Sequence, residues 1–296
     1  MWACPDPVDL DEALVDRLPS GIEEINITGG EPFLHPKINA IVGKLENKGC
    51  RVIINSNGLV KIAADNALLK LKNVGIRFSL DGIGDRHDRL RGVNGNFEKV
   101  LRQIEGLQSA GFTDLGIVST FSDANWDQVL PVYELSRKLR VGFTCALAAN
   151  STIFYRNESN RLMNTTAFVG ELQRIIGREI GSMRMRGLGK ALFVKELARF
   201  ASSKVKSLDC SAGRSFFFLA ATGDVYACNM RDLPMGNLRT SKFEDLWFSA
   251  LAGNQRSIAS RCTQPCWTMC NAKQILKDNI LTYCFRFLLP LGVSHD

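Results

Sequence analysis

Between Glu24 and Ala146 short apolar runs alternate with longer amphipathic stretches, and no other feature restricts the fold of this chain as much. Glu24–Thr28 reads as a strand, followed by Gly29-Gly30 and a helical run from about Lys37 to Lys48. Arg51–Asn55 reads as the next strand, then a helical stretch around Ile62 to Leu71. Val74–Leu80 is a third strand, and the helix after it, Asn96 to Ala110, repeats Phe97, Val100, Leu101, Ile104 and Leu107 at helical spacing. Leu115–Thr120, a helix over Trp126–Leu139 and a strand over Val141–Ala146 complete the series. Such an order specifies an α/β protein with a parallel sheet and covering helices, either open or closed into a barrel.

The rhythm then breaks. Ala148 to Lys206 is largely helical, with helices expected near Thr166–Glu179 and Leu188–Ser202. Asn150, Asn157 and Asn164 each open an Asn-x-Ser/Thr triplet, read as accidental matches in a chain with no secretion signal. From Asp209 onward, Phe216–Ala220 and Asp224–Cys228 flank Ala221-Thr-Gly-Asp as a β-hairpin. A helix around Lys242–Leu251 follows. These breaks divide the chain into 1–147, 148–207 and 208–296.

At 296 residues, 45% of them hydrophobic, the chain can bury roughly 75% of its unfolded surface without covalent staples. Its nine cysteines therefore need another explanation. The N-terminus has neither the basic nor the apolar region of a signal peptide, so a cytoplasmic location is expected. There many cysteines point to metal rather than disulfides. No apolar run reaches the ~20 residues of a membrane span, and the apolar tail Ile280–Val293 is expected to dock on the core. The net charge of +7 is dispersed, with no basic run, so a nucleic-acid partner is not expected.

Two groups of residues could carry chemistry. The first is Thr28-Gly29-Gly30-Glu31-Pro32, at the C-terminal end of the first strand, the edge where parallel α/β folds bind ligands. Asn55-Ser56-Asn57-Gly58, Ser79-Leu80-Asp81-Gly82 and Ser119-Thr120 close the next three strands with small polar residues. Each is also explicable as a turn or helix cap; all four together suit a pocket for a polar cofactor. The second group is Cys210, Cys228, Cys262, Cys266, Cys270 and Cys284. Cubane iron–sulfur clusters gather four thiolates from irregular loops. Structural zinc is the alternative, although paired short-spaced knuckles are its usual form and only one such group occurs here. Cys50 and Cys145 read as core thiols.

Thr28–Pro32 resembles the GGEP motif of radical S-adenosylmethionine (radical SAM) enzymes, and Asn55–Gly58 and Ser79–Gly82 are similar to the strand ends of that family. Cys210, Gly223 and Cys228 with Gly236-Asn237-Leu238 and the helix near Trp247 resemble its SPASM/twitch extension. The resemblance covers about residues 22–147 and 209–284. It implies a partial (βα)6 TIM-like barrel without its first strand, followed by a small α+β cysteine-rich domain. It further implies S-adenosylmethionine held by Gly29, Gly30, Glu31, Pro32, Asn55, Ser79, Asp81 and Ser119. A 4Fe-4S cluster, one auxiliary and at most two, would be held among the six late cysteines. The implied activity is hydrogen abstraction by a 5′-deoxyadenosyl radical from a peptide or small-molecule substrate, with an electron donor such as a flavodoxin or ferredoxin. Arg184, Arg186 and Lys190 of the helical segment are candidate substrate contacts, with a solvated face as the alternative reading.

The family's Cys-x3-Cys-x2-Cys motif is matched only by Cys4, at the place of its third cysteine; Met1 stands where the second should be. The expectation is a chain truncated ahead of that motif and inactive as written. A non-catalytic iron–sulfur electron-transfer or partner protein is the alternative, and a zinc module on an α/β scaffold is the other.

Overall fold

In a computed structural model, residues 8–151, 157–182, 185–204, 210–263 and 266–287 are described. After a short helix α1 (Ala13–Asp16) come five parallel strands in spatial order: β1 (Glu24–Ile27), β2 (Arg51–Ser56), β3 (Val74–Ser79), β4 (Leu115–Phe121) and β5 (Gly142–Leu147). They curl into a half-barrel, the partial barrel expected from the sequence. Helices α2 (Ile38–Asn47), α3 (Asp85–Arg91), α4 (Asn96–Ser109) and α5 (Val129–Lys138) form the crossovers.

The helices form because their apolar positions recur on one side. Ile38, Ile41, Val42 and Leu45 of α2 and Phe97, Val100, Ile104 and Leu107 of α4 are buried. They cover one face of the sheet, where Val52, Ile54, Ile76 and Ile117 are fully buried, each stabilising by about 1.5–3 kcal/mol. Pro131 sits in the first turn of α5, where its missing N–H costs no helical bond.

One predicted helix is not there. Over 62–71 only a 3₁₀ turn, Ala67–Lys70, forms. The Asn66 side chain accepts from Leu68 N, and Ile62 N donates to Gln103 Oε1 of α4. Bonds that would close helical turns are thus diverted to side chains. Conversely, α3 falls in a polar stretch with no apolar periodicity and ends on Gly92, whose φ of +68° suits a left-handed cap.

The helical segment supplies α6 (Thr165–Gly181) and α7 (Met185–Ser203), antiparallel partners laid beside α5. Glu179, nearly buried on α6, accepts from Tyr133 Oη (2.9 Å) and pairs with Lys190 Nζ (3.0 Å), joining α5, α6 and α7. The C-terminal part opens with an antiparallel sheet of β6 (Phe218–Leu219), β7 (Asp224–Tyr226) and β8 (Pro234–Asn237). Helices α8 (Phe243–Trp247), α9 (Ala250–Ser260), α10 (Met269–Asp278) and α11 (Ile280–Phe287) follow. The predicted hairpin is β6–β7 and the helix expected over 242–251 ends at Trp247 as α8; β8, α9, α10 and α11 were not foreseen. The described part of the apolar tail docks through Tyr283, buried against Leu192, Ile275 and Leu276. Residues 288–293 of that tail lie outside the described residues.

The core is continuous. Val225, Met235, Leu238, Leu246 and Trp267 belong to the same buried cluster as the strands of the half-barrel. Ion pairs cross at its edges: Arg239–Asp11 (3.2 Å), Lys273–Glu24 (2.6 Å) and Lys277–Glu23. Exposed pairs contribute at most about 1 kcal/mol each, so apolar burial carries the attachment. No helix among the described residues is long and apolar enough to cross a membrane.

Gly58 ends β2 with φ +74°, and a Cβ there would lie 2.5 Å from Val100 Cγ2 of α4. Gly58→Ala should therefore destabilise the fold by about 2–4 kcal/mol, through left-handed strain and overpacking. A urea midpoint unchanged from the parent protein would refute this.

Candidate functional site

Side chains alternate along each strand, so every strand-end residue faces either the helices or the open concave side. The ladder register puts Asn55, Ser79, Val118, Thr120 and Thr144 on the concave side. Ser56 and Ser119 fall on the helix-covered side. Ser119 is fully buried and donates to Leu80 O at 2.5 Å. It is thus a tie between β3 and β4, and the structure does not bring it to the concave face. Its neighbour Thr120, exposed, takes that position.

The loop after β1 is open. Gly29 (φ +141°) and Gly30 are exposed, and a Cβ built at either would meet no atom within 4 Å. Their backbone is therefore accessible to a ligand. Pro32 is buried and begins a 3₁₀ turn over Pro32–Leu34. The Glu31 carboxylate accepts from Phe33 N (3.2 Å), Ser56 Oγ (3.0 Å) and Asn57 N (2.7 Å), which fastens this loop to the end of β2. Asn55 Nδ2 donates to Ile27 O (3.2 Å) across the same junction. Ser79 is half-buried, and its hydroxyl has no hydrogen bond among the described residues.

Asp81 is more enclosed than its position in a loop suggests. Its carboxylate accepts from Thr120 N (2.8 Å) and pairs with Arg91 Nη2 (2.7 Å). Its carbonyl accepts from buried Asn125, which also donates to Thr120 O. Asp81 thus locks the ends of β3 and β4 together. Arg91 Nε is buried without a partner among the described residues. Neither Arg91 nor Asn125 was anticipated; each lies in a polar stretch whose spacing carries no periodic signal.

Behind this loop His87 is fully buried on α3. Asp81 N donates to its Nδ1 (3.1 Å), so a neutral ring carries its proton on Nε2, which faces the Asn96 amide at 3.1 Å. Asn96 Oδ1 is buried without a partner as placed; turning that amide over would let it accept from Nε2. Burial, then the Arg91 charge, push the His87 pKa down to about 4. Asp88 accepts from Phe97 N (2.8 Å) and Gly95 N (2.5 Å) at the start of α4. Burial works to raise its pKa, but those N–H groups and the neighbouring histidine outweigh it and hold the carboxyl below its usual value.

A chain of charges crosses the opposite, N-terminal end of the half-barrel. Arg51 Nη2 and Arg77 Nη2 both bind the Asp114 carboxylate, at 2.6 and 2.8 Å. Arg51 also approaches Glu24 (3.6 Å), which holds Lys273 of α10. Gly75 and Gly116 make room: a Cβ at either would come within 2.7 Å of Asp114 or Arg77 atoms. This chain fixes α10 against β1, the strand that leads into Gly29-Gly30.

The second centre is a cleft lined by Cys210, Cys228, Cys262 and Cys266, brought together from three segments, with Cys262 and Cys266 both in the connection between α9 and α10. N–H groups point at the sulfurs. Met230 N donates to Cys228 Sγ (3.1 Å), Arg231 Nη2 to Cys262 Sγ (3.5 Å) and Asn271 Nδ2 to Cys266 Sγ (3.8 Å). Cys210 Sγ lies 3.4 Å from Asn271 Oδ1. Burial first, and then the three neighbouring thiols, push the Cys228 pKa up to about 11, despite the Met230 N–H. Four thiolates could coexist here only around a strongly positive group. Among the described residues no three His, Cys, Asp or Glu side chains are close enough to share one metal ion. A cubane, with one thiolate per corner iron, is suited to the wider spacing.

The remaining cysteines divide. Cys284 is exposed on α11, because Tyr283 beside it faces the core; the expectation that Cys284 belongs with the other five is not met by its position. Cys270 lies in α10, but its side chain and the whole of Cys4 fall outside the described residues. Cys50 and Cys145 are core thiols, buried as expected, and burial raises both pKa values, that of Cys145 to about 12. Of the candidate substrate contacts, Lys190 is occupied by Glu179, and Arg184 and the Arg186 side chain are outside the described residues. Arg231 and Asn271 were missed, since a hydrogen bond to sulfur leaves no pattern in a sequence.

Residues 6–135 match the radical SAM superfamily, and residues 210–271 match an iron–sulfur cluster-binding domain, SPASM. The chain is 25% identical over 261 residues to the AdoMet-dependent heme synthase of Oleidesulfovibrio alaskensis, covering 80% of this chain and 65% of the relative. It is 26% identical over 247 residues to the sporulation killing factor maturation protein SkfB of Bacillus subtilis, covering 82% of this chain and 57% of SkfB. The chain thus spans about three fifths of the length of these curated relatives. Its fold is similar to crystal structures of Streptococcus suis SuiB. One is bound to S-adenosylmethionine (TM-score 0.62, 15% identity, 79% of this chain and 57% of that chain). Another is bound to the precursor peptide SuiA (TM-score 0.58, 15% identity, 79% of this chain and 56% of that chain).

The buried histidine predicts a pH dependence. Because folding depresses its pKa from 6.5 to about 4, its contribution is complete above pH 6.5 and is lost as pH falls towards 4, by about 3 kcal/mol in all. Denaturant titrations between pH 7 and 4 should show this loss, and His87→Gln should flatten it. Equal slopes in the two proteins would exclude His87 as its origin.

Proposed function

We propose, from the match of residues 6–135 to the radical SAM superfamily and of residues 210–271 to the SPASM iron–sulfur cluster-binding domain, that this chain is the barrel and auxiliary-cluster portion of a radical SAM oxidoreductase or maturase. The observation that carries the proposal is four cysteines lining one cleft, with N–H donors on their sulfurs, beside a half-barrel whose polar strand ends stay open. The assigned domains are a barrel over 1–147, a helical connection over 148–207 and the cluster domain over 208–296.

S-adenosylmethionine and a reduced 4Fe-4S cluster together supply a 5′-deoxyadenosyl radical that removes a substrate hydrogen atom. The exposed backbone of Gly29 and Gly30 would receive the methionyl amino group, with Glu31 and Pro32 holding the loop in place. Asn55, Ser79 and Thr120 offer polar side chains along the concave face. Asp81 acts indirectly, by fixing the strand ends and orienting Arg91. Cys210, Cys228, Cys262 and Cys266 are assigned as the four ligands of one auxiliary cluster. Cys4 stands at the family's spacing for one ligand of the SAM-binding cluster, and Met1 stands where a second is expected.

A peptide or a porphyrin-like small molecule is the proposed substrate class, from the likeness to SkfB and the heme synthase, and a flavodoxin- or ferredoxin-type protein the electron donor. The location proposed is cytoplasmic.

Anaerobic reconstitution with iron and sulfide should give about four irons per chain and thiolate-to-iron absorption. About eight irons would refute the single-cluster assignment, and zinc without iron would favour the structural zinc module. Gly30→Val projects into open space, so it should fold normally while weakening S-adenosylmethionine binding at least about tenfold, a loss of about 1.4 kcal/mol. Binding is read by equilibrium dialysis. Iron loading without any S-adenosylmethionine binding would favour the electron-transfer reading.

A further inference from the structure

Reduction of a thiolate-bound iron–sulfur cluster adds negative charge to sulfurs that are already anionic, so donors and cations beside those sulfurs favour the reduced state. Three donors reach the cleft, and each meets a different cysteine. Met230 contributes a backbone N–H, and Asn271, 5% exposed, a neutral amide whose Nδ2 donates to Cys266 while its Oδ1 accepts from the Cys210 thiol. Arg231 contributes a guanidinium to Cys262, and it is the one charged side chain lining the cleft among the described residues.

Arg256 and Arg261 of α9 and its C-terminal end are engaged elsewhere. Arg256 binds Trp247 O (2.8 Å) and lies over the Trp247 ring. Arg261 folds back on Ser257 of its own helix. Arg231, by contrast, sits in the loop between β7 and β8, three residues after the ligand Cys228. Buried Ala227 and Met230, each 6% exposed, pin that loop. One short segment thus carries a thiol and delivers a cation to a second thiol, Cys262, which follows α9. A planar guanidinium suits this place, because it is weakly hydrated and remains charged.

We propose that Arg231 is a positioning residue for the auxiliary cluster, holding the Cys262 sulfur by a charge-assisted hydrogen bond and raising the cluster's reduction potential. This rests on the cluster reading above, with Cys210, Cys228, Cys262 and Cys266 as ligands. The role is separable from folding, since a merely structural arginine would leave the potential unmoved in any variant that keeps its iron.

The test is a potentiometric titration of the anaerobically reconstituted full chain, followed by electron paramagnetic resonance, for the parent protein, R231Q and R231K. At the parent midpoint the ratio of reduced to oxidised cluster in R231Q should fall about tenfold, a shift of about 59 mV to more negative potential for one electron. R231K, which keeps the charge without the planar fork, should recover most of that ratio. An R231Q protein with full iron content and the parent midpoint overturns the proposal. If R231Q loses its iron, retention by R231K supports a charge held against the cluster, whereas loss in both variants assigns Arg231 a purely structural role and overturns it. A parent protein that binds zinc or no iron would instead refute the underlying cluster reading, so the two failures are distinct.

Discussion

The organising constraint is the two-sidedness of a parallel strand. Covering helices bury one face of β1–β5 with Val52, Ile54, Ile76 and Ile117. The opposite residues at the same strand ends are thereby turned towards the concave side. Asn55, Ser79 and Thr120 reach it for this reason, and Ser56 and Ser119 cannot. A one-residue change of register would exchange the two sets and bury the wrong polar groups. The geometry of the strand-end site thus follows from apolar burial on the other side of the sheet.

Buried polar ties then convert an array of strand ends into one surface. Glu31 joins the Gly-rich loop to β2 through Ser56 and Asn57, and Asp81 with Asn125 joins β3 to β4. Removing one partner of such a tie leaves the other unsatisfied, which costs more than the bond contributes when intact. The cysteine cleft is attached by different means. Trp267, next to Cys266, stacks on Phe200 and meets Phe193 of α7, while Lys273 further along α10 reaches Glu24 on β1. The two candidate centres are therefore mounted on one continuous core.

Legibility in the sequence followed periodicity. The strands and α2, α4, α5 and α6 were readable because their apolar positions recur at spacings of two or 3.6, whereas α7 carries apolar residues without one-sided recurrence. The stretch 62–71 has enough apolar residues to imitate a helix, yet Asn66 and Gln103 capture its backbone N–H groups. Helix α3 has the reverse character, since Asp85–Arg91 is polar except for Leu90 and gains its place from the buried contacts of His87. Cys284 could not be told from the other late cysteines by spacing, because its exposure depends on which side of α11 Tyr283 occupies.

By itself the sequence determined the βα order, the Gly-rich and polar residues at the strand ends and the concentration of cysteines after residue 209. These are local properties of residue type and spacing. Only the tertiary structure decided which of those residues meet. It turned Ser119 away from the concave face and engaged Asp81 with Arg91. It gathered Cys210, Cys228, Cys262 and Cys266 while leaving Cys284 outside, and it set Arg231 against a sulfur. Each of these outcomes depends on contacts between different elements, fixed by burial and register rather than by any pattern within a segment.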